Sequence, residues 1–215
     1  MIEYFYMWFA LSLLAGFSLA VRNLLSKLSA EKLPELVSMW FLFLFSLPVV
    51  VWALFFQPFV VVSNQFWILI GFRVLLEFSA LFTFYKALKL EGISVVISLL
   101  ALQPLLVIGT TFFINQQTSS ALGLLATALV SVGIFLMYRS EAKQGESPEF
   151  IKATFLILLT VISYALLEPI HAKAISLSNV SSYLVASQLV VTLADRKSTR
   201  LNSSHSSVSR MPSSA

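Results

Sequence analysis

An arginine and a glutamate lie four residues apart inside an otherwise apolar stretch, ILIGFRVLLEFSALFTFY. They are Arg73 and Glu77, and side chains at this spacing share one face of a helix. Ionisable groups are costly in hydrocarbon, so within a membrane they indicate a functional site. In one interpretation Glu77 exchanges a proton with the cargo, and Arg73 is its partner or a clamp for carboxylate or phosphate. In the other, the two residues form a purely structural ion pair.

A second titratable pair occurs in LLEPIHAK, where Glu168 and His171 are three residues apart. This spacing also places both side chains on one helix face, and His titrates near neutral pH, so the pair is a candidate proton relay. The alternative is a position at the membrane interface, near the end of the apolar run. In the first apolar run we expect Arg22 to extend to the interface, which leaves Ser18 and Asn23 as pathway candidates.

Three prolines lie inside apolar runs: Pro48, Pro104 and Pro169. A proline within a helix lacks an N–H group and kinks the helix. Each therefore frees the carbonyl four residues earlier, which are those of Leu44, Leu100 and Ala165. Freed carbonyls beside polar groups can form binding sites in transporters, and Gln103-Pro104 and Glu168-Pro169 fit this pattern. The alternative is a kink needed only for packing.

The composition requires a membrane environment for these residues. Hydrophobic residues make up 58% of the 215-residue chain and charged residues 11%, whereas soluble domains carry about 25% charged residues. About 20 apolar residues in a helix cross ~30 Å of hydrocarbon. The sequence therefore predicts an all-α, polytopic transmembrane helical bundle, with six spans at about 4–26, 35–56, 66–88, 92–114, 119–138 and 150–172.

Small residues recur every four positions in span 5, as Gly123, Thr127 and Ser131. Small side chains at this spacing let two membrane helices approach closely. We therefore predict that this face serves helix packing.

The residue types present exclude several classes of site. The chain has no Cys and two His, so no disulfide and no His/Cys metal cluster is expected. Nucleotide-binding and hydrolase motifs do not occur either. We therefore predict that the protein is not an enzyme and holds no cofactor.

Positive charge is distributed unevenly between the predicted loops. Those after spans 1, 3 and 5 hold seven Lys or Arg residues, whereas those after spans 2, 4 and 6 hold only Lys173. Because Lys and Arg accumulate on the cytoplasmic side, this bias predicts an amino terminus on the outside.

A weak internal repeat occurs at an offset of 146 residues. It aligns LAGFSLAVRNLLSKLS, from Leu14, with TVISYALLEPIHAKAI, from Thr160. Each segment has an apolar run, then a charged residue and then a lysine. A repeat unit of five helices would place the second copy upside down in the membrane. The predicted divisions are a first repeat at 1–140, a polar linker at 141–149 and the start of a second repeat at 150–194.

The segment FTFYKALKLEGISVVISLLALQPLLVIGTTFF combines an aromatic span ending, a lysine-containing turn and a Pro-Leu within the next span. The residues concerned are Phe84, Tyr85, Ala87, Leu88, Lys89, Ser94, Pro104 and Leu105. The segment resembles the third-to-fourth helix region of the drug/metabolite transporter superfamily, in its EamA branch. Arg73 also resembles an arginine of many members, and the resemblance covers roughly residues 7–194.

The resemblance implies two inverted five-helix halves and secondary transport of metabolites or drugs, commonly coupled to protons or another gradient. This chain departs from the family pattern in two respects. Members often carry Gly-Glu after the fourth span, where this chain has Asn115-Gln116, so no acidic contact is carried over. Members usually have the amino terminus inside, which opposes the charge distribution described above.

The composition changes after the last apolar segment. SSYLVASQLVVTLA, from Ser181, has 14 residues, too few to cross, so it is expected to be an incomplete span or a re-entrant or interfacial segment. Residues 195–215, DRKSTRLNSSHSSVSRMPSSA, back-translate to a sequencing adapter, so we expect a non-native tail; a natural disordered tail is the alternative. Without four basic residues and one acidic residue in this tail, the net charge falls from +4 to +1.

Together these features predict a fragment of a secondary transporter that exports or exchanges small organic metabolites or drugs, as a multi-pass protein of the cell membrane. The predicted partners are the lipid bilayer, a small-molecule substrate, a coupling proton and a second copy in a homodimer, with no nucleic acid. The alternative is a non-transporting membrane receptor or scaffold. Further spans that mirror spans 2–5 would favour transport, and a soluble signalling domain would favour the alternative.

Overall fold

A computed structural model describes residues 2–60, 63–142 and 147–191. Within these ranges the chain forms helices and no strand. The tail predicted to be non-native, residues 195–215, lies outside the described residues, as do residues 143–146 of the predicted polar linker at 141–149.

Eight helices are described in these ranges. They are α1 (Ile2–Lys32), α2 (Glu35–Phe56), α3 (Asn64–Leu90), α4 (Ile93–Leu100), α5 (Gln103–Asn115), α6 (Ala121–Ala142) and α7 (Pro148–Ser176), followed by the shorter α8 (Val180–Val191). Six segments are long and apolar enough to cross a membrane, with α4 and α5 together forming one of them. The prediction of a multi-pass helical membrane protein is confirmed at this level.

The fourth span is broken where a single kinked helix was predicted. α4 ends at Leu100, and α5 begins at Gln103, so Pro104 lies in the first turn of a new helix. Proline is tolerated there because the first N–H groups of a helix have no partner within the helix. The predicted mid-helix kink at Pro104 is therefore wrong, whereas Pro48 and Pro169 do lie inside α2 and α7.

The most extensive helix contact joins α3 and α7. Ala80 on α3 and Ala153 on α7 are fully or almost fully buried, and small side chains of this kind let membrane helices approach closely. The hydroxyl groups of Thr83 and Thr160 share a hydrogen bond of 2.7 Å across this contact. Packing and an interhelical hydrogen bond thus fix α7 against the centre of α3.

α1 and α6 form the outer part of the bundle. Only 6% of the most apolar window of each helix is buried, and large side chains such as Phe17 and Leu122 point outward. In water such surfaces would be unfavourable, but in a bilayer they contact hydrocarbon. The exposed apolar surface therefore fits a lipid environment.

At one end of the bundle, lysine side chains form hydrogen bonds and an ion pair with residues at the ends of neighbouring helices. Lys27 on α1 donates hydrogen bonds to the carbonyls of Leu88 (2.6 Å) and Glu91 (3.1 Å), at the end of α3. Lys89 lies 3.1 Å from the carboxylate of Glu35, at the start of α2. Cations are favourable at helix C-termini, where the last carbonyls have no partner.

α8 runs antiparallel to α2 and is bound to it by polar side chains. Ser181 donates to the carbonyl of Ala53 (2.8 Å). About two helical turns further along α8, Gln188 donates to the carbonyl of Phe43 (2.8 Å) and contacts the Ser46 hydroxyl. The 12 described residues span about 18 Å, so this part is too short to cross, yet it lies alongside a helix that is long enough to do so.

The contact between α3 and α7 can be tested through Thr160. We expect Thr160→Val to lower the free energy of unfolding by about 0.6 to 1.7 kcal/mol, the range for interhelical hydrogen bonds in membranes. Thr127→Val is the matched control, because the Thr127 hydroxyl bonds to the Gly123 carbonyl of its own helix. The measurement is reversible unfolding in mixed micelles, and an equal loss for both variants would contradict the role assigned to Thr160.

The orientation predicted from charge can be tested with single cysteines, because the chain has none of its own. Gln117→Cys lies in the loop after α5, and Gly92→Cys lies between α3 and α4, where no atom within 4 Å obstructs a side chain. If the amino terminus is outside, a membrane-impermeant maleimide added to intact cells labels position 117 and not position 92. The reverse labelling would support the orientation that the family resemblance implies.

Candidate functional site

A cavity of about 510 Å³ lies between α1, α3, α7 and the break between α4 and α5. Five polar residues predicted from the sequence line this cavity: Asn23, Glu77, Gln103, Glu168 and His171. They come from four different helices, so only the tertiary fold brings them together. The remaining wall is mostly apolar and includes Leu19, Phe84, Ile97, Leu100 and Leu167.

Arg73 and Glu77 form an ion pair at the centre of α3. Nη2 of Arg73 lies 2.6 Å from Oε2 of Glu77, and their side chains are 9% and 19% exposed. Glu77 lies midway along the 27-residue helix and lines the cavity, while Arg73 is buried behind it. The i, i+4 pairing therefore agrees with both interpretations given above, a functional site and a structural pair.

The sequence analysis did not identify Tyr183 on α8. Nε of Arg73 donates a 3.0 Å hydrogen bond to the Tyr183 hydroxyl. The guanidinium carbon lies 5.7 Å from the centre of the same ring, and the ring of His171 lies 5.5 Å from it. The sequence did offer a signal for this contact. Tyr183 lies in an apolar segment that is too short to cross the membrane, and the third span contains an arginine that needs a hydrogen-bond partner.

Three buried polar atoms in this cluster have no hydrogen-bond partner. Nη1 of Arg73, Oε2 of Glu77 and Nε2 of His171 form no hydrogen bond within the described part of the chain, although Oε2 faces Nη2 of Arg73 in the ion pair. Most buried polar groups in folded proteins are paired with protein or water. The unpaired atoms are therefore a specific feature of this site.

Arg22 lines the cavity together with Tyr164 of α7, and it is exposed on α1. The expectation that Arg22 extends to the membrane interface stays a prediction.

A second cavity, of about 380 Å³, adjoins the first. Gln103, Pro104 and Glu168 line both cavities. Gly123 and Thr127 of α6 line the second one. Glu168 therefore lies on a wall shared by two cavities, and its side chain is exposed to that space.

The small residues of α6 bond within their own helix. The hydroxyls of Thr127 and Ser131 donate to the carbonyls of Gly123 and Thr127, each at 2.9 Å. A Cβ atom placed on Gly123 would meet only Ser120, at 3.3 Å, and no neighbouring helix. The close helix approach predicted at Gly123 is therefore not made there.

Two other candidates lie away from the cavity wall. Ser18 is exposed on α1, and Pro48 is exposed on α2. Neither side chain lines the cavity described above. Among the residues described, no group of three or more His, Asp and Glu is arranged to hold a metal ion.

Pro169 has the effect predicted for a proline within a helix. It leaves the carbonyl of Ala165 without its main-chain donor, and the hydroxyl of Thr110 on α5 donates to that carbonyl at 2.6 Å. Asn115 donates to the carbonyl of Pro169 itself, at 3.4 Å. Both bonds join α5 to α7, so here the freed carbonyl serves helix packing, the alternative that the sequence left open.

Comparison with protein-family models, with curated proteins and with solved structures finds no match. The assignment of a function therefore depends on the residues and geometry of this chain.

The bond from Thr110 to Ala165 gives a quantitative prediction. Thr110→Val should destabilise the protein by about 1–3 kcal/mol, because it leaves a buried carbonyl without a donor. Pro169→Ala restores a main-chain N–H, so the same substitution should cost less in that background. The two costs would be compared by unfolding in micelles, and equal costs would show that Thr110 does not replace the donor missing at Pro169.

Proposed function

We propose that the protein is a secondary transporter of small organic molecules, built like members of the drug/metabolite transporter superfamily. The observation that carries this proposal is the cavity of about 510 Å³, lined by Glu77 at the centre of a membrane-crossing helix. Its volume falls within the range of roughly 300–1,000 Å³ typical of small-molecule sites. Secondary transporters place their substrate and coupling-ion sites near the middle of the bilayer.

The positions of the helices support a repeated architecture. At the offset of 146 residues, the end of α1 at Lys32 corresponds to position 178, two residues after α7 ends at Ser176. The start of α2 at Glu35 corresponds to position 181, one residue after α8 begins. These two helix boundaries fall within two residues of the positions that the proposed repeat would give. With five crossings per unit, a second unit would be inverted, as in many transporters.

Glu77 has a clear role in a proton-coupled mechanism. As a carboxylate it forms an ion pair with Arg73 and neutralises the guanidinium charge. When Glu77 takes up a proton, this ion pair is lost, and Arg73 keeps Tyr183 as its partner. Proton uptake would therefore weaken the link within α3 while leaving the link from α3 to α8. A change of this kind at one carboxylate can bias an equilibrium between two arrangements of the helices.

The proposal predicts the behaviour of Glu77→Gln in a chain that carries both complete repeats. The amide oxygen of Gln can still accept a hydrogen bond from Arg73, so expression should be retained. Because Gln cannot exchange a proton, the dependence of transport on pH should be lost. The measurement is uptake into proteoliposomes across a range of external pH.

Glu149→Gln is the matched control, because Glu149 is exposed in the first turn of α7, away from the cavity. This variant should retain the pH dependence of the unmodified protein. If Glu77→Gln also retains it, Glu77 has only a structural role and proton coupling at this residue is rejected.

A further inference from the structure

We infer that Arg73 and His171 form a subsite for the carboxylate group of a small apolar acid, entered from the cavity of about 510 Å³. Its role in selecting the transported substrate rests on the function proposed above. The binding site itself is defined by hydrogen-bond donors that the folded chain leaves unused.

The donors of Arg73 can be counted individually. A guanidinium group carries five N–H bonds in a fixed plane. Nε–H is used by the Tyr183 hydroxyl at 3.0 Å, and Nη2 is held by Glu77 at 2.6 Å. Nη1 has no partner, although the side chain is only 9% exposed. Two N–H groups of a buried cation are therefore available to an acceptor.

His171 supplies the second unused group, which is a donor in the tautomer that carries the ring proton on Nε2. Its ring lines the cavity, and its Nε2 atom is buried without a partner. The Tyr183 ring contacts both side chains, with its centre 5.5 Å from that of the imidazole and 5.7 Å from the guanidinium carbon. Arg73 and His171 therefore belong to a single cluster around Tyr183.

The charges of the cluster favour a carboxylate over a phosphate. Arg73 already faces the carboxylate of Glu77. A second anion is therefore attracted by the guanidinium group and repelled by the Glu77 carboxylate. A single negative charge suits this balance better than a phosphate dianion. A planar carboxylate also matches the geometry of guanidinium N–H groups.

The remaining wall specifies the rest of the ligand. Leu19, Phe84 and Leu167 are among the apolar residues that line the cavity, and a hydrocarbon chain would bury its surface against them. The expected ligand is therefore a monocarboxylic acid with an apolar body.

The ligand has a defined route to the subsite. Arg73 does not line the cavity, whereas Glu77 and His171 do. The carboxylate must therefore reach Arg73 from the part of the wall that Glu77 and His171 form. Rotation of the His171 side chain is the movement that this route requires, and a bound carboxylate would satisfy both nitrogen atoms once it is in place.

The test is calorimetric titration of the full chain in lipid nanodiscs with hexanoate, 1-hexanol and hexyl phosphate. We expect hexanoate to bind at least about tenfold more tightly than either comparator, since charge-assisted hydrogen bonds to arginine require the carboxylate. No saturable binding of hexanoate, or equal binding of hexanol, would overturn the inference and indicate that water alone occupies the cluster. Tighter binding of hexyl phosphate would overturn the choice of carboxylate.

Variants connect the binding to the named residues. Arg73→Lys removes the planar donors, and His171→Gln changes the second donor, so each should weaken hexanoate binding by about tenfold or more while leaving hexanol unaffected. Arg139→Gln is the matched control, because it removes an exposed positive charge at the end of α6 and should leave hexanoate binding unchanged. If Arg73→Lys does not fold, His171→Gln alone decides, and unchanged hexanoate binding in that variant would overturn the inference.

The site and the transport function can fail separately. Selective hexanoate binding by a two-repeat chain that moves no solute into proteoliposomes would reject the proposed transport and leave the carboxylate site standing. Transport of other solutes without selective hexanoate binding would reject the carboxylate site and leave transport standing.

Discussion

The structure depends on one constraint: a buried arginine in a bilayer needs partners, because hydrocarbon supplies none. Arg73 obtains one partner from its own helix, Glu77, and one from α8, Tyr183. Together these partners engage Nε and Nη2 of the guanidinium group, while Nη1 has no partner in the described part of the chain. The need to satisfy this cation joins a helix of the first predicted repeat to a helix of the second, and it places a charged pair at the wall of the cavity.

The same constraint governs the backbone. At Pro169 a freed carbonyl is satisfied by Thr110, and along α2 the polar side chains of α8 bond to main-chain carbonyls. Each of these contacts joins two helices, and along α2 the groups that need a partner in lipid are the Ser181 and Gln188 side chains. In this bundle polar contacts therefore specify which helices are neighbours, since apolar surface is equally well solvated by lipid or by another helix.

Much of the fold could be predicted from the sequence, because the thickness of hydrocarbon fixes the length of apolar helix that crosses it. The ionisable residues of the cavity could also be predicted, since ionisable groups inside a membrane-crossing helix are costly and usually functional. The residues with which they pair could not be predicted. Tyr183 and Arg73 are 110 residues apart, and Arg22 shares the cavity wall with Tyr164 of α7. The break before Gln103 lies inside a continuous apolar run, so hydropathy alone does not reveal it.

The most direct test of the central claim is a double-mutant cycle on Arg73 and Glu77, measured as the free energy of unfolding in micelles. Glu77→Leu leaves a buried cation without its carboxylate and should cost about 3–5 kcal/mol, whereas Arg73→Met combined with Glu77→Leu should cost less than Glu77→Leu alone. This result would show that the pair holds the charge of Arg73 in the membrane. Strictly additive effects of the two substitutions would contradict the account.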